Sequence, residues 1–389
     1  MTINPVELIN ALATDDAVRA DPFSLYRNAA SMGEIVSIFP KFSIATSYDA
    51  VNFILRSSQF GKRPTDGSLG RRSIFNEKYP PSMLFSDPPN HTRLRRSVAR
   101  LFTPSKIDAM TPQIEELTET LFARFIQSGG GDFVSEVALE IPVSVISLLL
   151  GVNPSDRPSL AKEVAIVAAS LDLSTQFTGD EERVIEAGNI LLEYFEALVR
   201  SKDEKGAVLA SLLEGDDPLD VYEASVMALL LFMAGFETTA NLLSSIIYSM
   251  GSDEEIRATV TGASDLRASV EEFLRLDSPV QIDGRLCQVE SRYNDVKIDE
   301  GTFVLTLIGG ANRDPKYFED PDSFSLGRKV SPILSFATGI HHCIGATLAR
   351  SEGEIFLRHL LDMPTYDIVK AVRKPTLTLR GFQSIEVVL

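Results

Sequence analysis

Apolar positions recur at three- and four-residue spacing through Ile107 to Phe125, Phe133 to Leu150 and Ile185 to Val199, the period of a helix with one buried face. From His91 to about Ser269 the pattern is almost wholly helical. Within it, Asp216-Asp217-Pro218 precede a long helix running from about Asp220 to Met250, whose positive N-terminal end the acidic residues suit. Its most apolar run, Val226 to Phe236, leads straight into Glu237. That run is about half of the roughly 20 residues needed to cross a bilayer, so a buried core helix is expected. Alternating or short apolar runs lie near the ends. Ile35 to Ile38 and Phe42 to Ala45, around Pro40, predict a hairpin, and strand-like runs return at Val296 to Ile298, Thr302 to Leu307, Leu377 to Leu379 and Ile385 to Val387. The expected fold is mainly α with small peripheral β-sheets, a single domain over 1–389. Its β-rich portions would be 1–60, 290–310 and 375–389, with a helical portion over 91–275 and a distinct segment at 335–350.

Composition narrows the function. The chain has 389 residues, 44% apolar and 23% charged, which is ordinary globular usage. Two cysteines, Cys287 and Cys343, rule out a disulfide framework and suit a reducing compartment. A net charge of −17 argues against nucleic acid as a partner, and any anionic partner needs a local basic patch. The first residues carry no basic stretch followed by a long apolar one, so a soluble, cytoplasmic protein away from membranes is expected.

Chemistry concentrates in Ser335 to Arg350, SFATGIHHCIGATLAR. Gly339 and Gly345 flank Cys343, and glycine permits backbone conformations and close approaches closed to other residues. A cysteine just before a helix receives the positive end of the dipole, which favours thiolate. Such a sulfur can attack an electrophile, bind a metal, or be a plain buried thiol.

Phe336-x-x-Gly339-x-His341-x-Cys343-x-Gly345, continued by Ala349-Arg350-x-Glu352, resembles the haem-binding loop of the cytochrome P450 superfamily, in its bacterial, soluble, ferredoxin-dependent form. Three further matches occur in the family's order: Asp87-Pro88-Pro89-x-His91-x-x-x-Arg95, Ala234-Gly235-Phe236-Glu237-Thr238-Thr239, and Glu272-x-x-Arg275. Arg285 and Ala311 to Pro315 fit the spacing between them.

The resemblance implies haem b, iron-protoporphyrin IX, buried between the long central helix and the helix after the cysteine. Cys343 would be the thiolate axial ligand, which pushes electron density onto iron and favours O–O cleavage. Phe336 would shield the sulfur; plain core filling is its simpler role. His91, Arg95, Arg285 and His341 would bind the haem propionates, each able to donate to a carboxylate, and His342 would face solvent. Ala234 and Gly235 would border the haem, Gly235 letting haem and oxygen approach the backbone. Glu237 and Thr238 would deliver protons to dioxygen through ordered water. Their plain readings are a back-bond from Thr238 to a carbonyl one turn earlier and a capping contact from Glu237. Glu272 and Arg275, three apart on one helix face, would form a structural ion pair. Two departures stand out: Ser323 where the family places a third-partner Arg, which implies an incomplete or rewired network, and Ala337 where glycine is common.

By family position, the pocket candidates are Phe75, Leu84 and Phe85 in a lid, Leu171, Leu173 and Phe177 in a roof, and Met233, Ala234, Val280, Ile282 and Phe382 at the sides. A small, largely apolar organic substrate follows. The implied activity is oxygen-dependent monooxygenation, most simply hydroxylation, by a monomer fed by ferredoxin and ferredoxin reductase. A docking patch is expected around Arg95, Arg96, Arg100 and Arg328. The alternatives are a peroxygenase, oxidative coupling or desaturation on the same fold, a non-catalytic haem-binding or recruiting module, and a cysteine hydrolase. A peroxygenase or a recruiting module has no need of Glu237 and Thr238. A hydrolase would need a base brought to Cys343 by the fold, not by the adjacent His341 or His342.

Overall fold

The computed structural model describes residues 4–63, 78–170, 172, 181–201, 206–328 and 332–389. Its organising element is the helix Val221–Ser252, 32 residues and therefore about 48 Å long. Asp220 starts it by a reciprocal capping box, its carboxylate accepting from the Glu223 N–H while Glu223 accepts from the Asp220 N–H. The helix is long and apolar enough to cross a membrane, yet 67% of its most apolar window is buried inside the protein. Helices Glu140–Leu150, Glu181–Arg200 and Ala346–Asp362 cover it, so an all-round apolar sequence here marks a core helix.

Among the described residues the strands form three small sheets. The largest runs, in spatial order, Ile35–Phe39, Phe42–Ala45, Phe303–Leu307, Ile282–Cys287 and Phe60–Gly61. The expected hairpin is its first pair, with Ile35 opposite Ala45, and Phe42–Ala45 then lies parallel to Phe303–Leu307. A second sheet joins Gly130–Asp132, Phe382–Val388 and Asp367–Arg373, and Ser291–Tyr293 pairs with Val296–Ile298.

Two expectations need correction. The 1–60 portion is not β-rich: it carries helices Pro5–Thr14, Asp16–Ala20, Phe23–Met32 and Tyr48–Arg56 around the one hairpin and the short edge strand Phe60–Gly61. Asn4, Asp15 and Ser47 each cap one of these helices with a side-chain oxygen, so the helical signal lay in short polar caps rather than in long periodic runs. Leu377 to Leu379 is not a strand; only Leu379 bridges, to Val280.

Candidate active site

The central helix supplies the first wall. Ala224 to Phe232 and Thr239 to Ile247 are buried, but between them Ala234 is exposed and Met233, Gly235, Glu237 and Thr238 are partly so. Residues four apart share one face, so Ala234 with Thr238, and Met233 with Glu237, open a short window in an otherwise covered helix. The Thr238 hydroxyl donates to the Ala234 carbonyl at 2.9 Å, and Lys374 lies 3.3 Å from Glu237. The back-bond therefore exists, and it leaves the lone pairs of the Thr238 oxygen toward the window. Gly235 belongs elsewhere. A Cβ there would lie 2.9 Å from Ile146 of the covering helix, so its lack of a side chain serves helix–helix approach and not the approach of a ligand.

The cysteine loop supplies the second wall. Its backbone doubles back so that the Cys343 N–H donates to the Phe336 carbonyl at 2.9 Å. Gly339 has φ +73°, and a Cβ on it would sit 2.5 Å from the Leu55 carbonyl oxygen, so conformation and space both demand glycine. At Gly345 φ is −87° and a Cβ would meet the sulfur only at 4.0 Å; within the protein nothing there requires glycine. Ala337, in place of the family's glycine, is held at φ +53°, a left-handed conformation that costs a residue with a Cβ about 1–2 kcal/mol. Ala337→Gly is therefore expected to stabilise the protein by about 1 kcal/mol, net of glycine's freer unfolded chain. A rise in the urea unfolding midpoint checks this; an unchanged or lower midpoint would mean that the loop carries no such strain.

A buried network fixes where the loop begins. Asn312 donates to the Ser278 and Ser335 hydroxyls at 2.7 and 2.8 Å, accepts from the Leu334 N–H at 2.7 Å, and Ser335 donates to the Leu274 carbonyl at 2.7 Å. Arg350 stacks over Phe336 with its guanidinium 4.3 Å from the ring centre and pairs with Glu271. Phe336 stays half-buried beside the cysteine. Glu352, nearly two turns into the helix Ala346–Asp362, is 2% exposed, and burial pushes its carboxyl up to about 8.

Cys343 keeps an exposed surface, yet burial pushes its thiol up, opposed by the Gly345 N–H, Arg95 and Arg350. The sulfur sits in a recess that is deep and open at once. The helix N-terminus and two arginines thus do not by themselves produce the thiolate expected of this position; a metal cation on the sulfur would, since coordination deprotonates a thiol outright. Among the described residues no cluster of three or more His, Cys, Asp or Glu side chains could hold that metal. A metal that brings its other donors with it fits such a site.

A third group of residues gives the recess a polar end. His91 is 2% exposed, and neither of its ring nitrogens has a hydrogen-bond partner among the described residues; the same holds for His341 Nε2 and Arg285 Nη2. The two imidazole rings meet with centroids 4.4 Å apart. Burial, with Arg285 and Lys62 nearby, lowers the His341 pKa to about 2, and burial and Arg95 lower that of His91. Each unsatisfied buried polar group costs roughly 1–3 kcal/mol, so several together mark the site of an anionic oxygen ligand. Carboxylates on the edge of a flat, metal-bearing ring fit this end, and a thiolate-bound iron fits the other: the residues present suit haem. Arg95 donates to the His342 carbonyl at 2.7 Å, tying the helix Asn90–Ala99 to the residue before Cys343, and His342 itself is exposed as expected.

The Glu-x-x-Arg pair is more complete than the sequence suggests. Arg275, 1% exposed, grips both oxygens of Glu272 at 2.8 Å and donates to the Asn312, Pro321 and Ser323 carbonyls. The third partner is Arg328, whose Nε donates to Glu272 at 2.9 Å. Ser323 offers only its carbonyl, so of the two expected outcomes the network is rewired and not incomplete: the arginine stands five residues later and folds back. The same finding removes Arg328 from the docking patch. Arg100 also turns inward, onto the Ser211 carbonyl, which leaves Arg96 as the exposed member.

Among the pocket candidates, Leu84, Phe85, Met233 and Val280 are partly accessible. Ile282 and Phe382 are each 1% exposed and belong to the core. Ile282 packs in the N-terminal cluster with Leu8 and Phe23, and Phe382 packs against both the Arg373 guanidinium and the Tyr248 ring. Neither has surface to offer a ligand. Phe75, Leu171, Leu173 and Phe177 lie outside the described residues.

Known proteins resemble this chain in sequence and in fold. The family model described as cytochrome P450 matches residues 266–380. A putative cytochrome P450 140 of Mycobacterium tuberculosis is 33% identical over 402 residues, covering 97% of this chain and 91% of that protein. The 6-deoxyerythronolide B hydroxylase of Saccharopolyspora erythraea is 31% identical, covering 97% and 99%. In structure, ligand-free CYP164A2 of Mycobacterium smegmatis superposes with a TM-score of 0.88 at 30% identity, covering 98% of this chain and 99% of that one. Relatives matched along nearly their whole length, and a sulfur recess suited to a metal that carries its own donors, place this chain in the cytochrome P450 family as a haem-thiolate monooxygenase.

Proposed function

We propose that the chain is a single-domain bacterial hydroxylase of a small, largely apolar organic molecule, acting in secondary metabolism or catabolism, with Cys343 as the thiolate donor to haem. Bound in the recess, haem supplies reductive activation of dioxygen and transfer of one oxygen atom to a C–H bond, the second atom leaving as water. His91, His341, Arg285 and Arg95 hold the propionate edge by charge-assisted or neutral hydrogen bonds. Phe336 limits water at the sulfur. Leu84, Phe85, Met233, Ala234 and Val280 offer apolar surface to the substrate, in keeping with the mostly apolar lining of ligand sites.

The observation that carries this reading is the window in the central helix, where an acid and an alcohol are adjacent and accessible while the turns on either side are buried. Releasing the second oxygen atom as water requires two protons delivered at the site. Glu237, linked to Lys374 near the surface, takes protons from water, and Thr238 holds the last donor in place. Thr238→Ala is expected to keep substrate binding and NADPH consumption while most of the reducing power leaves as hydrogen peroxide. Measuring product and peroxide per NADPH tests this, and unchanged coupling would refute the relay.

Electrons would come from a ferredoxin and its reductase, docking near the exposed Arg96 and the proximal side of Cys343, with the enzyme a cytoplasmic monomer. A hydroxylase among the full-length relatives supports hydroxylation over coupling or desaturation. The acid–alcohol pair weighs against a peroxygenase, which brings its oxygen already reduced.

A further inference from the structure

Two charged residues outside every motif above meet at the polar end of the recess. Asp283 lies in the strand Ile282–Cys287, two residues before Arg285. One of its oxygens accepts from Arg285 Nη1, the other from Lys62 Nζ at 2.6 Å. Lys62 also reaches the Gly284 carbonyl at 3.2 Å, as does Arg285 at 3.0 Å. Burial pushes the Asp283 carboxyl up, but Arg285 and Lys62 outweigh it and leave the group below the usual carboxylate range, ionised. The Lys62 side chain is 9% exposed and that of Arg285 1%.

The backbone places Lys62 with little freedom. Gly61 pairs with Leu286 in the sheet, and a Cβ on Gly61 would lie 1.9 Å from Gln288 Nε2 and 2.7 Å from Asp87 Oδ2. The Lys62 and Arg63 N–H groups both donate to the Asp87 carboxylate. Asp87, of the early Asp-Pro-Pro segment, thus pins the strand edge from which Lys62 crosses to Asp283. Both Arg285 and Lys62, together with Asp283 and His91, act electrostatically on His341. Two cations and one anion therefore stand beside the paired rings of His91 and His341.

From this geometry we infer that Lys62 is a further cation of the cofactor-carboxylate site, and that Asp283 is a positioning residue which holds Lys62 and Arg285 together and sets the net charge felt by the iron. The inference rests on the reading that His91, His341 and Arg285 receive the haem propionates. Asp283 occupies one arm of Arg285 and leaves Nη2, which has no partner among the described residues, for an outside acceptor, while cancelling one of the two positive charges. Reduction adds an electron at the iron, and nearby positive charge favours that step whereas negative charge opposes it.

The test uses purified holoprotein of the native sequence and of K62M, K62R, D283N and the K62M/D283N pair. The reduced carbon-monoxide spectrum is recorded first, then the ferric/ferrous midpoint potential by anaerobic titration and the rate of haem transfer to apomyoglobin. D283N is expected to raise the potential and K62M to lower it. K62R should match the native protein, and the double variant should return close to the native potential. K62M should also lose haem several-fold faster than K62R. Should D283N take up no haem, the two Lys62 variants decide the matter. Shifts of the same sign in K62M and D283N, or no shift in either, would overturn the inference while a native carbon-monoxide spectrum left the haem-thiolate reading standing. An altered spectrum in the native protein would instead remove that reading.

Discussion

Cys343→Ser is expected to abolish oxygen insertion and leave the fold intact. The Cys343 side chain is exposed, and its backbone N–H, not its sulfur, closes the loop onto Phe336. Serine can keep that bond and fills slightly less space. What it cannot supply is an easily ionised donor, because a hydroxyl gives up its proton far less readily than a thiol. Haem should then be held weakly or with a different axial ligand, product formation should fall to background, and far-ultraviolet circular dichroism should be unchanged. A serine variant that retains full haem content and native turnover would mean that the sulfur is not the ligand.

The second large effect is expected at Arg275. Its guanidinium makes five hydrogen bonds to Glu272 and three backbone carbonyls while being 1% exposed. Arg275→Leu leaves the buried Glu272 carboxylate with only Arg328 and the Ser325 N–H, and takes a donor from each of three carbonyls, that of the buried Asn312 among them. Removing one partner of a buried pair costs roughly 3–5 kcal/mol, against a total stability of about 5–15 kcal/mol. The variant should accumulate as haem-free or insoluble chain, and its urea midpoint, if measurable, should fall steeply. Two milder variants separate this network from general fragility. Arg328→Ala removes the third partner of Glu272 and should cost about 1–3 kcal/mol, the range for a hydrogen bond to a charged group. Ser323→Ala, which keeps the carbonyl that Arg275 and Arg328 share, should cost almost nothing. Equal losses in the two would contradict the assignment of Arg328 as that partner.

The contrast between Ser323 and Arg328 shows where sequence reading ends. Spacing along one helix is fixed by geometry, so Glu272 with Arg275, the adjacent Glu237 and Thr238, and the start of the central helix at Asp220 were all legible. The third arginine reaches Glu272 across an irregular loop, and no period links its position to its partner. Gly235 failed for a related reason. Its place in the motif was plain, but which neighbour it faces depends on how the helix Glu140–Leu150 packs, and Ile146 decides that. Ile282 and Phe382 are apolar residues at the right positions along the chain, yet the sheets turn them into the core. Asn312 was visible as part of a spacing match, while its grip on Ser278 and Ser335 needs three segments brought together by the fold. Lys62 and Asp283 belong to no motif, and it is the pairing of Phe60 and Gly61 with Cys287 and Leu286 that brings their strands together.

The most direct test of the account is the spectrum of the native protein, reduced and saturated with carbon monoxide, with haem quantified per chain. A long-wavelength Soret band of the kind given by thiolate-ligated haem, at one haem per chain, is the predicted result. A short-wavelength band in freshly reduced protein, or a chain that takes up no haem, would contradict it.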